Sequence, residues 1–256
     1  MLRFVFFVAV VFTASSCMVP LGFQTAKTLE KDEILLMATA DINATASIEP
    51  GEGFADFRAL SYQMTSSLNL AFRSGMRVEN MDWGLYFGYY NYASSSLSMG
   101  ADVKYQFAGD RESVFAAATG LSLGWVPWLW SFDNYPLDGK SMLVATVPLF
   151  LTLDFNDKAS FTFTPNYRYG RNSFYSFHAA VFNLSMRFRV KNTENLRSYY
   201  SLDLHVGRSF AGPEGYNNLL FGAIGISAQH ISRILSEEER LKRKRKKQPH
   251  KVFFEY

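Results

Sequence analysis

The chain has 256 residues, enough for one large domain or two small ones, with 16% aromatic residues, only 19% charged residues and a formal net charge of +3. Mean hydropathy is close to zero, and after the first 17 positions no uncharged apolar run reaches the ~18 residues that a spanning helix needs, so a helical membrane bundle is excluded. Residues 236 to 256 hold eight Lys or Arg and four Glu, so the basic character lives in a tail, the body is nearly neutral, and nucleic-acid binding is not implied.

The chain opens with a secretory pattern. Met1, Leu2 and Arg3 precede the apolar run Phe4 to Phe12, and small residues follow up to Ser16. Residues 1–16 are therefore expected to be a signal peptide. Cys17 comes next and is the only cysteine, which rules out an internal disulfide. Residues 17–32 are expected to be a linker from that cysteine to the folded body.

From residue 33 the dominant signal is alternation with period two, the mark of a half-buried strand. The first segment, 33–43, sets Ile34, Leu36, Ala38, Ala40 and Ile42 against a mixed face. In 68–73, Leu68, Leu70 and Phe72 oppose Asn69, Ala71 and Arg73. In 82–90, Trp83, Leu85, Phe87 and Tyr89 oppose Gly84, Tyr86, Gly88 and Tyr90. The separation is complete in 96–107, where Leu97, Met99, Ala101, Val103, Tyr105 and Phe107 face away from Ser98, Asp102, Lys104 and Gln106. Segments 114–125, 140–155, 159–170, 182–190 and 198–207 repeat the pattern, and 216–229 does so less cleanly. The expected total is ten strands, within bounds of eight and twelve.

A soluble β-sandwich also alternates. Two features favour a membrane barrel instead. Several segments exceed the usual 3–10 residues of a globular strand and reach the ~9–11 that a tilted strand needs to cross a bilayer. Their apolar stripes carry aromatics at the ends, such as Trp83 and Tyr89 or Phe161 and Tyr169, as in interfacial girdles. The connections agree: 74–81, 108–112, 155–159 and 190–197 read as short polar turns on one side. The two long connections, 44–67 and 126–140, both fall on the other.

On these segments the chain resembles small bacterial outer-membrane β-barrel proteins. Its start, small residues followed by Cys17, resembles their lipoprotein members. The resemblance implies an all-β fold, a single closed antiparallel transmembrane barrel over residues 33–230, with a basic tail over 231–256, short and helical or disordered. It implies lipidation at Cys17, residence in the cell outer membrane with both termini in the periplasm, and contact with membrane lipids and the barrel assembly machinery. The terminal residues Val252 to Tyr256 are aromatic-rich like an assembly signal, but too few to span.

The face opposite the apolar one carries Arg73, Asp102, Lys104, Asp154, Arg168, Arg187, Arg189, Asp203 and His205. Charges inside a closed barrel need partners or water. These residues are expected to form a network that fills the lumen, with a narrow anion-preferring pore as the alternative. Asp203 and His205 share a face, as in the Asp-x-His pair of omptin proteases, but the opposing Asp-x-Asp is absent. No metal-ligand spacing and no glycine-rich phosphate loop occurs, so neither enzymatic activity nor a cofactor is expected. The connection 126–140 carries Trp128, Trp130, Phe132 and Tyr135, either a surface for an outside partner or a patch lying on the lipid interface. The tail, with Ser236 placed to cap a short helix, has cations to offer anionic headgroups or the cell wall.

Overall fold

The computed structural model describes residues 24–50, 57–91, 96–110, 112–126, 141–171, 176–193, 195–211 and 219–234. Ten strands run through them: β1 (Glu33–Pro50), β2 (Phe57–Gly75), β3 (Met81–Asn91), β4 (Ser96–Ala108), β5 (Phe115–Val126), β6 (Met142–Asp154), β7 (Ala159–Arg171), β8 (Ser176–Thr193), β9 (Leu196–Ala211) and β10 (Leu219–Arg233). Each pairs antiparallel with its sequence neighbours. β1 also pairs with β10, from Glu33 opposite Arg233 to Ser47 opposite Leu219, and this closes the ring. A closed ring leaves no strand edge, which overturns the sandwich alternative, since a sandwich needs two separate sheets.

The strands face the way their alternation dictates, with the usual sides exchanged. The apolar face points outward: Leu70 is 63% exposed and Ile226 62%. The polar face points inward, where Asn69, Thr146, Asn183, Ser185 and Gln229 are buried. Every buried residue of β4, namely Ser98, Asp102, Lys104 and Gln106, is polar. A sandwich built on the same pattern would have buried the aliphatic and aromatic face.

An even strand count returns both chain ends to one side. The Ile234 amide donates to the Asp32 carbonyl at 2.6 Å, which fixes the two ends of the described chain together. The turns at 76–80 and 155–158, and residues 109–110 and 112–114 between β4 and β5, lie at this same end, the terminal end. Two of its turns use left-handed backbone, at Asn80 (φ 59°) and Gly109 (φ 73°). Asn tolerates that region and Gly favours it; at Gly109 an added Cβ would also run into the Phe115 carbonyl.

The connection read from sequence as the loop 44–67 is corrected. β1 and β2 continue as a paired hairpin out to Pro50 opposite Phe57, with one register shift between Ser47 and Ile48. Ala, Ser and Thr dilute the alternation there, yet the ladder persists because each strand supplies the other's backbone partners. β8 and β9 likewise run past the expected 182–190 and 198–207, and β10 carries the barrel to Arg233 rather than residue 230. Cys17, the aromatic connection with Trp128, Trp130, Phe132 and Tyr135, and the tail from Ser236 lie outside the described residues.

Candidate functional site

The lumen is the candidate site, and its main occupant is the chain itself. Residues 24–30 enter the terminal end of the barrel and lie inside it, with Gln24, Thr25, Ala26, Thr28 and Leu29 buried. This irregular backbone cannot pair with itself, so side chains from the wall satisfy it. The Ala26 amide donates to Thr152 Oγ1 at 2.8 Å, the Thr28 amide to Gln106 Oε1 at 2.9 Å and the Leu29 amide to Asp82 Oδ2 at 3.1 Å. Lys104 Nζ returns donors to the carbonyls of Thr25 at 2.9 Å and Lys27 at 3.1 Å. Non-strand backbone within a spanning region is stable only when protein groups serve it in this way. Apolar contacts complete the seat. Ala26 packs in a buried cluster with Tyr86, Ala116, Ala118 and Phe150, and Leu29 joins Leu35, Tyr199 and Ile231.

Beside this plug, in the barrel wall, lies an ionic cluster on three adjacent strands. Arg73 of β2 is ion-paired to Asp82 of β3, and to Asp102 of β4 at 2.5 Å. Lys104 of β4 reaches Asp82 at 3.3 Å. Two cations thus meet two carboxylates, and each of the four is almost fully buried. Gln24 Nε2 adds a bond to Asp102 at 3.3 Å. Buried charges persist only when paired and hydrogen-bonded, and here the plug supplies part of that satisfaction. Gly84 makes room for the cluster, because a Cβ there would lie 2.9 Å from Arg73 Nη1. Gly100 similarly admits the Tyr86 phenol, which donates to the Leu123 carbonyl at 3.0 Å.

Farther from the terminal end the lumen holds a second polar layer. Asp41 accepts from Asn69 at 3.0 Å and Ser67 at 3.2 Å. Ser201 and Ser227 share a 2.5 Å hydrogen bond, and Gln229 donates to both. Arg168 donates to Asn166 at 2.8 Å.

Each inward residue singled out from the sequence can now be placed. Arg73, Asp102 and Lys104 come together with Asp82. Asp154 holds Lys27 of the plug at 2.7 Å. Arg187 lies against the Tyr199 ring, 4.3 Å from its centroid, and Arg189 pairs with Asp157 at the rim at 2.9 Å. Arg168, Asp203 and His205 stand deeper in the lumen, with His205 Nε2 3.7 Å from Asp203 Oδ2, longer than a hydrogen bond. The sequence reading left out Asp82, Asp41, Glu33 and Lys27. Asp82 shares parity with Gly84 and was legible as inward by that rule. Glu33, at the start of β1, ion-pairs with Arg197.

His178 stands outside the lumen, half-buried between the rings of Tyr167 and Tyr169. The spacing His-x-Ser of barrel lipid hydrolases, taken in the sequence reading to be absent, occurs at His230 and Ser232. His230 is exposed, its Nδ1 lies 2.9 Å from Ser198 Oγ, and no carboxylate among the described residues orients it. At the terminal end the turn after β4 is tied by Asp110, which accepts from the Ser113 hydroxyl at 2.8 Å and amide at 2.7 Å and the Glu112 amide at 2.9 Å. These bonds hold its carboxyl below the usual range. They also fix the Ser113 carbonyl, which accepts from Lys27 at 2.9 Å.

No family model and no curated protein matches the chain. Solved structures do. The outer membrane protease OmpT from Escherichia coli is 8% identical, covering 82% of this chain and 100% of that chain with a TM-score of 0.41. The beta domain of the Bordetella autotransporter BrkA is 12% identical, covering 78% and 99% with a TM-score of 0.40. Neisserial surface protein A is 12% identical, covering 78% and 96% with a TM-score of 0.33. The closed barrel itself stands on the strand pairing of this chain alone.

Proposed function

We propose that this protein is a non-conducting outer-membrane barrel with a structural or surface role, and that its lumen is closed by its own N-terminal segment. The membrane reading is carried by the inverted barrel: a polar, buried inside and a continuous apolar outside. Soluble proteins rarely expose apolar patches beyond a few hundred Å², whereas a lipid-facing apolar band around a polar interior is what a spanning barrel requires. The non-conducting reading is carried by the seat of residues 24–30, whose backbone amides and carbonyls are bound to Thr152, Gln106, Asp82 and Lys104. The terminal end then faces the periplasm. In this reading Cys17, seven residues before Gln24 in the sequence, is acylated and inserts into the inner leaflet of that membrane.

The role is non-enzymatic in this reading. Asp203 and His205 are enclosed in the lumen wall, and the plug and ionic cluster stand between them and the terminal end. His230 has a serine neighbour but no orienting carboxylate among the described residues, and a competent base needs such a partner.

One experiment tests the proposal. Cells expressing the full chain with labelled palmitate are fractionated, and the protein is run on gels unheated and heated, then reconstituted in planar bilayers. The expected result is outer-membrane recovery, label lost on Cys17→Ser, a heat-dependent mobility shift, and no conductance steps. Recovery of detergent-free soluble protein would sink the membrane reading. Regular steps that depend on Arg168 or Arg187 would replace the closed barrel by a pore.

A further inference from the structure

The terminal end of the lumen holds a feature that the plug and the ionic cluster do not use. A cavity of about 430 Å³ opens between the plug, the β6–β7 turn and the wall of β8 and β9. Its size falls within the ~300–1,000 Å³ of small-molecule sites. Five cations and three carboxylates line it, and the ion pairs among the described residues show which charges are already spent. Asp154 is held by Lys27 and Asp157 by Arg189. Arg197 is bound to Glu33 from outside the lining. Arg187 remains. Among the described residues no carboxylate lies within ion-pair distance of it, although Asp154 on the same lining is near enough to act on it through its charge; the Tyr199 ring lies beneath the guanidinium. The ring orients the guanidinium plane and leaves its hydrogen-bonding edge free.

We propose that this cavity binds a small soluble oxyanion, a carboxylate or phosphate, with Arg187 as its principal ligand. The guanidinium fork matches the paired oxygens of either group. The half-buried setting strengthens the attraction relative to open water. Arg189 and Arg197, held in their own ion pairs, and Lys158 stand on the same lining and add positive potential.

The test uses the full chain folded in detergent micelles, with inorganic phosphate and succinate as separate probes and titration calorimetry as readout. Saturable binding of at least one probe is expected. Arg187→Gln should weaken it more than about tenfold, the loss of a charge-assisted hydrogen bond. Arg187→Lys keeps the charge without the fork and should weaken it less. Arg208→Gln, on the outward face of β9, should leave it unchanged. Heat-dependent gel mobility establishes that each variant is folded, and if Arg187→Gln does not fold, Arg187→Lys carries the comparison. Absence of saturable binding for both probes overturns the proposal. So does equal binding by wild type and folded Arg187 variants, or an equal loss in Arg208→Gln.

Discussion

Arg73 shows how much a single side chain in this lumen has to hold. It bridges Asp82 and Asp102 across two strand pairs, and all three are almost without exposure. Removing it leaves two buried carboxylates with only Lys104 between them. Breaking a buried pair by deleting one partner costs about 3–5 kcal/mol, because the remaining charge keeps its desolvation penalty. Arg73→Ala is therefore expected to lower the urea unfolding free energy in micelles by roughly that amount; a change below about 1 kcal/mol, the worth of an exposed pair, would mean the cluster is solvated. The inward direction of Arg73, Asp102 and Lys104 was readable from alternation alone, because a period of two assigns a side without knowing the partner. Their assembly was not. It depends on the register that sets Asp82 opposite Lys104 and Gly84 opposite Asp102, and on Gly84 lacking a Cβ that would press on Arg73.

At the scale of the element, the plug is held by many weak contacts rather than one strong one. Ala26 is fully buried among Tyr86, Ala116, Ala118 and Phe150, so the space at that position is sized for a methyl group. Ala26→Leu adds three carbons, and overpacking of that kind costs about 1–3 kcal/mol. That cost can be relieved by lifting the segment out of its seat. Trypsin reports the outcome at Lys27: in the folded wild type the bond after it should resist cleavage until the protein is heated, and in folded Ala26→Leu it should be cut without heating. Cleavage of the unheated, folded wild type would show that residues 24–30 do not reside in the lumen. The sequence showed this segment only as a linker, and the physical reason is plain. An irregular segment has no periodicity, and its partners Asp82, Lys104, Gln106 and Thr152 lie 53 to 126 residues away from the groups they bind. The β1–β2 hairpin was missed for a different reason. On the β1 side, residues 44–47 alternate Ala, Thr, Ala and Ser, whose polarity contrast is too small to reveal a face, although the backbone ladder needs no such contrast.

The whole molecule turns on which face of the barrel meets which solvent. Leu70 and Asn69 are neighbours in β2, yet Leu70 is 63% exposed and Asn69 is 3% exposed. On a water-soluble protein an exposed leucine is an ordinary surface residue, and its replacement by arginine changes stability by no more than about 0.5 kcal/mol. On a lipid-facing surface the same change places a charge in hydrocarbon and costs about 2–4 kcal/mol near the bilayer midplane, less toward the interfaces. The two solvents therefore give different magnitudes for one substitution that leaves the lumen untouched. Leu70→Arg is expected to destabilise the barrel by the larger amount when unfolding by urea is followed in lipid vesicles. A matched substitution at the turn, Val78→Arg, should have little effect because that side chain lies beyond the strand ends, where water is available. If Leu70→Arg and Val78→Arg proved equally mild, the apolar outer face would not be buried in lipid, and the exposed aliphatic surface would require a protein partner to cover it.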